Sequence, residues 1–226
     1  MTTIAVTGAN RGIGLEFVRQ YSAEGASIIA CCRNPAKADK LKQIGKAVSV
    51  MALDVADSGS IAALARELKD EPIDILIDNA GVYGGERQSA DDPDPDVFAQ
   101  TFRVNSIAPL IVAHALKPNL MRGKDKKLAV LTSKMGSISD SSGGSLAYRA
   151  SKAALNMIFH GVALEWAKDG IAVGILHPGW VKTDMGGPDA MITVEDSVTG
   201  LRARIGELNQ RNSGRFVDYK GRSIGW

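Results

Sequence analysis

Six short apolar runs rich in β-branched residues recur along the chain: TIAVT at 3–7, SIIACC at 27–32, AVSVMAL at 47–53, IDILID at 73–78, KLAVLTS at 127–133 and IAVGILHP at 171–178. Between them lie longer stretches with helical periodicity, at 15–21, 61–68, 98–120 and 150–167. Strands that alternate with helices join as right-handed βαβ units, which builds a parallel sheet with helices on both faces. Each run is hydrophobic almost without interruption, as a strand buried on both sides must be. The pattern therefore predicts a doubly wound α/β fold, with no linker, repeat or second composition regime to divide residues 1–226.

Composition excludes several classes of function. A net charge of +2, without a strong basic cluster, gives no reason to expect nucleic acid. The one basic run, RGKDKK at 122–127, reads as an exposed helix end and loop. DDPDPD at 91–96 reads as a solvated loop and helix start, where proline is tolerated. No apolar run approaches the roughly 20 residues that span a bilayer, and MTTIAVTGAN lacks the basic start and long apolar stretch of a signal peptide. Cys31 and Cys32 are adjacent inside an apolar run, so they read as buried thiols of a reducing compartment. The expectation is a cytoplasmic protein without membrane contact. No His, Cys and acid cluster has metal-ligand spacing, so no metal is expected.

Directly after the first strand comes TGANRGIG, with Gly8, Gly12 and Gly14 leading into a helix. Glycines there permit a tight turn and let backbone approach a pyrophosphate seated at the positive helix N-terminus. Further along, Tyr148 and Lys152 in SLAYRASKAALNM stand one helical turn apart, so both leave the same helix face.

The spacing G-x-x-x-G-x-G resembles that of the short-chain dehydrogenase/reductase family. DNAG at 78–81, TS at 132–133, YRASK at 148–152 and HPGWVKTDM at 177–185 follow in the family's order. SKMGSISD, GWVKTDMGGP and GRFVDYKGRSIGW resemble the branch that holds C-factor and sniffer-type carbonyl reductases. The resemblance covers nearly the whole chain. It implies a single Rossmann-type domain with about seven parallel strands in the order 3-2-1-4-5-6-7, often assembled as a homodimer or homotetramer. The apolar helices at 98–120 and 150–167 suit such pairing, although the sheet could equally satisfy their faces.

It also implies a nicotinamide cofactor. Gly8, Asn10, Arg11, Gly12, Ile13 and Gly14 would form its phosphate loop, and Asn79, Ala80 and Gly81 would line the adenosine ribose. Asp54, with Val55, would meet the adenine; the alternative for Asp54 is a helix N-cap. Where enzymes selective for NAD carry an acid after the second strand, this chain has Cys32 and then Arg33. Arg33 and Arg11 can bind a 2′-phosphate, so NADP(H) is expected over NAD(H). Pro178, Gly179, Val181 and Thr183 would approach the nicotinamide end, with a lid starting at 185–190. His177 reads as structural, and His114 and His160 as packing or surface residues.

The catalytic set implied is Asn105, Ser133, Tyr148 and Lys152. Tyr148 would exchange the proton, with Lys152 and the oxidised ring lowering its pKa. Ser133 would hold the substrate oxygen, with Ser137, Ser141 and Ser142 as rivals because DSSGG at 140–144 resembles an insertion. Pro109 lies four residues after Asn105 and has no N–H for its carbonyl. The helix is therefore expected to kink there and leave an acceptor for a relay water; the alternative is a kink that serves packing alone. Asp78 stands where the family has a structural asparagine, and is not expected to be catalytic. The implied substrate is a small aldehyde, ketone or quinone, or the corresponding alcohol. The rival readings are a cofactor-binding regulatory protein of C-factor type and an epimerase or dehydratase. The last usually carries a larger C-terminal region than the roughly 40 residues after Thr183.

Overall fold

A computed structural model describes residues 1–226. Seven strands form one parallel sheet: β1 (Thr3–Thr7), β2 (Ser27–Cys32), β3 (Val48–Ala52), β4 (Ile75–Asp78), β5 (Lys127–Leu131), β6 (Ala172–His177) and β7 (Phe216–Asp218). Their order is β3-β2-β1-β4-β5-β6-β7, the doubly wound order expected. The sheet reverses direction of growth between β1 and β4, and all strand C-termini share one edge; ligands of such sheets bind at this edge.

The helices are α1 (Gly12–Ala23), α2 (Asp39–Lys42), α3 (Ser58–Glu67), α4 (Pro95–Phe102), α5 (Ala108–Arg122), α6 (Leu146–Trp166) and α7 (Val194–Glu207). Side chains alternate across the sheet, so each strand feeds two cores. Ala5, Ile29, Cys31, Leu76, Leu128 and Val130 face α3, α5 and α6, where Leu116, Leu155 and Phe159 cover them. Ile4, Val6, Ile28, Cys32, Ile77 and Leu131 face α1 and α7, against Phe17, Val18, Val198 and Leu201. Burying each of the Val, Leu, Ile and Phe side chains among these contributes about 1.5–3 kcal/mol. Cys31 and Cys32 are both buried and free, and point to opposite faces.

The acidic 91–96 segment starts α4 as the sequence suggests: the Asp94 carboxylate caps the amides of Asp96 and Val97, and Pro95 takes the first turn. The stretch 98–120 is not one α-helix. A π-helical turn, Arg103–Ile107, separates α4 from α5 just before Pro109. Three elements had not been located in the sequence: the single-turn α2, α7 and β7. In α7 only Val198, Leu201 and Ile205 supply the apolar stripe, and β7 is three residues long. No helix is long and apolar enough to cross a membrane.

Candidate active site

The three glycines after β1 each answer a different steric demand. Gly8 and Gly12 have φ of +63° and +52°, the left-handed region that side chains disfavour. A Cβ on Gly14 would lie 2.3 Å from the Gly8 carbonyl oxygen, so only hydrogen fits. The Asn79 amide braces the turn from below, donating to the carbonyls of Thr7 (2.8 Å) and Gly8 (3.2 Å). The main-chain amides of Asn79 and Ala80 both donate to the Thr7 hydroxyl. Helix α1 then begins without a capping side chain or an acidic residue in its first turn. Its free N–H groups and positive dipole end are left for an anion.

The other expected cofactor residues lie just after the C-terminal ends of β2, β3 and β6. Thr183, on the loop after β6, packs its methyl group within 3.3 Å of where a Cβ on Gly12 would stand. Arg11 pairs with Asp184 on that same loop at 2.8 Å, with both side chains mostly exposed; such a pair is held by about 1 kcal/mol or less. Arg33 is exposed and has no ion-pair or hydrogen-bond partner. Asp54 does not cap α3. That cap is Asp57, which accepts from the Gly59 amide, while Asp54 closes a local turn onto the Ala56 amide. Gly179 takes a φ of +87°, and the Pro178 carbonyl is held by the Ser197 hydroxyl. The donor set fits a dinucleotide.

The strand ends place the other group. Ser133 follows β5, is 8% exposed and caps the short 3₁₀ turn Lys134–Gly136 by accepting from the Met135 amide. Tyr148 and Lys152 lie buried on one face of α6, as their spacing requires. Ser133 lies close enough to the Tyr148 phenol to act on its pKa, in the lowering direction. Ser137 is taken by the Gly225 carbonyl, and Ser141 and Ser142 stand on an exposed loop. Among the four serines, Ser133 alone meets the phenol.

One expectation is corrected. The Tyr148 pKa is raised rather than lowered, because burial outweighs the Ser133 hydrogen bond. The Lys152 ammonium sits 6.0 Å from the Tyr148 ring centre and donates instead to the Leu131 carbonyl at 2.9 Å. Burial pulls Lys152 down to about 8 against the opposing charge of Asp78. Asp78 in turn is raised to about 6 by burial. One of its oxygens accepts from Thr7 at 2.9 Å, and the other is buried without a partner. This second oxygen is where an asparagine would carry its amide nitrogen.

Asn105 is fully buried at the centre of the π turn. Its side-chain oxygen accepts from the Val82 amide (2.9 Å), while its nitrogen donates to the Val82 carbonyl (2.8 Å) and the Ser151 hydroxyl (3.0 Å). The distortion that Pro109 produces is therefore a wider turn, which holds the loop after β4 against α6. His177 is largely buried and its pKa is driven down to about 4, so it stays neutral near pH 7. His160 meets the Gly214 carbonyl and the edge of Trp226.

Sequence reasoning did not find Tyr83 and Gln88, which the loop after β4 brings to Tyr148. The Tyr83 ring lies 5.2 Å from that of Tyr148, and its hydroxyl is bonded to Ser145. The Gln88 side chain accepts from the Tyr148 amide at 2.8 Å. No local pattern signals either residue, since these contacts join positions about 60 apart.

The model of the short chain dehydrogenase family matches residues 2–190. The chain is a short-chain dehydrogenase/reductase. Its relatives put it with the carbonyl reductases and C-factor proteins of that oxidoreductase family. C-signal of Myxococcus xanthus is 44% identical over 170 residues, 73% of this chain and 99% of that protein. An NADPH-bound carbonyl reductase from chicken fatty liver superposes with a TM-score of 0.92 at 33% identity, covering 100% of this chain and 99% of the other. The carbonyl reductase Sniffer of D. melanogaster gives 0.93 at 27% identity, with both chains fully covered.

Proposed function

We propose that this protein is an NADP(H)-dependent reductase of small aldehydes, ketones or quinones, and oxidises the corresponding alcohols in reverse. The observation that carries this reading is the convergence of Ser133, Tyr148 and Lys152 at the same sheet edge as the glycine turn and Thr183. Ser133 holds the carbonyl oxygen by a hydrogen bond, which opposes the charge developing there. Tyr148 gives that oxygen its phenolic proton. Lys152, mostly protonated at neutral pH with a pKa of about 8, stabilises the phenolate left behind and binds the nicotinamide ribose. Asn105 fixes the loop after β4 and, in the family's manner, supports a water on the path that returns the proton. The bound cofactor supplies the hydride. Gly8 to Gly14 and the open end of α1 hold its pyrophosphate, Asn79 to Gly81 its ribose, and Asp54 and Val55 its adenine. Arg33, aided by Arg11 once Asp184 is released, takes the 2′-phosphate; Val181, Thr183 and the Pro178–Gly179 turn hold the nicotinamide end.

The relationship to C-signal supports a second reading, a regulatory protein that binds NADP(H) and turns over little. One experiment separates the two. NADPH oxidation is followed against a panel of aldehydes, ketones and quinones, with wild type, Tyr148→Phe and NADH in parallel. The expected result is turnover that prefers NADPH and falls at least 100-fold in Tyr148→Phe. Tight NADPH binding with no turnover by wild type would favour the regulatory reading. Preference for NADH would refute the role of Arg33.

A further inference from the structure

The helix that carries Tyr148 starts in an unusual way. Ser145, just before α6, sits at a left-handed φ of +47° and caps nothing with its side chain. The first amides of any helix lack intrahelical acceptors, and at this end they are met by a single residue from elsewhere in the chain. The Gln88 main-chain carbonyl accepts from the Leu146 amide at 3.0 Å, and its side-chain oxygen accepts from the Tyr148 amide at 2.8 Å. Gln88 is 2% exposed. Its side-chain nitrogen faces back to the loop after β4, donating to the Tyr83 carbonyl at 3.0 Å and to the Gly85 carbonyl. That loop is held from its other end by Asn105 through Val82. The Tyr83 hydroxyl bonds Ser145, and Tyr83, Gly85, Glu86, Gln88, Ser89 and Ser145 line a cavity of about 410 Å³; the Tyr83 ring lies 5.2 Å from that of Tyr148.

We propose that Gln88 is a positioning residue for Tyr148: its amide locks the first turn of α6 to the loop after β4, and so fixes where the phenol stands. This rests on Tyr148 being the proton donor. The amide is required in both senses, because the oxygen must accept from Tyr148 while the nitrogen must donate to two carbonyl oxygens. Among side chains of that length that are neutral in ordinary form near pH 7, only glutamine does both.

The test uses Gln88→Met, Gln88→Glu and Tyr148→Phe. Gln88→Met loses both bonds and should lower kcat about 10- to 100-fold, the scale of a misplaced catalytic group, with NADPH affinity unchanged. In Gln88→Glu the introduced carboxyl can imitate the amide in part and only while protonated, accepting with C=O and donating its single O–H to one of the two carbonyls. Once ionised, it is repelled by the carbonyls of Tyr83 and Gly85. The titratable groups around it are Tyr148, Tyr83 and Glu86, with Arg87 turned away to Asp92 and Asp94. Its kcat relative to wild type should therefore fall at least tenfold between pH 6 and pH 9, a pH profile that packing alone would not create.

Full activity in Gln88→Met, or the same relative rate for Gln88→Glu at every pH, would overturn the proposal. Turnover that survives Tyr148→Phe would remove its premise instead, and so is distinguishable. The phenol is also titrated by absorbance as the difference from Tyr148→Phe, which needs no substrate. In Gln88→Met, still folded by circular dichroism, Tyr148 should titrate lower, toward the ordinary value of about 10. An unmoved titration would count against the proposal even if no substrate were turned over.

Discussion

Asp78→Asn should make the protein more stable at neutral pH, by an amount that depends on pH in a defined way. Asp78 is buried at the end of β4 with one carboxylate oxygen unpartnered, and burial raises its pKa to about 6. An ordinary aspartate titrates near 3.9, so the native state holds this proton more tightly than the unfolded chain by about 2 units, or about 3 kcal/mol. Because the folded pKa of an acid is raised, the cost is absent below about pH 4. It accumulates as pH rises to about 6, and is complete above that. Asparagine never ionises and therefore escapes this cost. The attraction of Lys152 is already contained in the Asp78 value, since it pulls that pKa down. Above about pH 8 Lys152 sheds its own proton, and the gap should widen further. Urea unfolding followed by tryptophan fluorescence, at pH 4, 5, 6, 7 and 8.5, should show the variant within about 0.5 kcal/mol of wild type at pH 4. At pH 7 it should be about 3 kcal/mol more stable, or about 6–12 °C in Tm for a chain of this size. Groups other than Lys152 titrate alike in the two proteins and cancel. A difference that stays flat across pH, or a variant less stable at pH 7, would refute the reasoning.

Arg33→Ala should raise the KM for NADPH about 10- to 100-fold, the worth of a lost charge-assisted hydrogen bond, and leave that for NADH unchanged; steady-state kinetics with both cofactors checks it. Ile107, Ile111, Met157 and Leu164 leave apolar side chains exposed on the π turn, α5 and α6. If these faces pair subunits into a homodimer or homotetramer, Met157→Lys combined with Leu164→Lys should shift sedimentation velocity toward the monomer without changing the circular dichroism.

The central strands were legible because burial on both sides leaves an unbroken apolar run, and the Tyr148–Lys152 pair because a helix repeats every turn. Helix α7 was not, since its three apolar anchors are diluted by charged neighbours along a face open to water. The fate of Asn105 was half legible. Pro109 announces a distortion, but whether the chain kinks or widens into a π turn depends on what Val82 and Ser151 offer its side chain. The direction of the Tyr148 shift was misread for a related reason. The sequence shows a cation one turn away, while the depth of burial and the carbonyl that draws Lys152 aside exist only in three dimensions. Gln88 was invisible because its partners lie some 60 residues on, and a glutamine in a polar loop has no local signature.

The neighbouring thiols have a use that their chemistry alone would not suggest. Cys31 lies under α3, α5 and α6, whereas Cys32 lies under α1 and α7. A thiol reagent must lift one helical layer to reach the first and the opposite layer to reach the second. With burial also raising both pKa values, neither reacts readily while the layers stay closed. Two atoms one residue apart therefore act as separate clocks for the two halves of the molecule, and the order in which they are alkylated tells which side of the sheet breathes first.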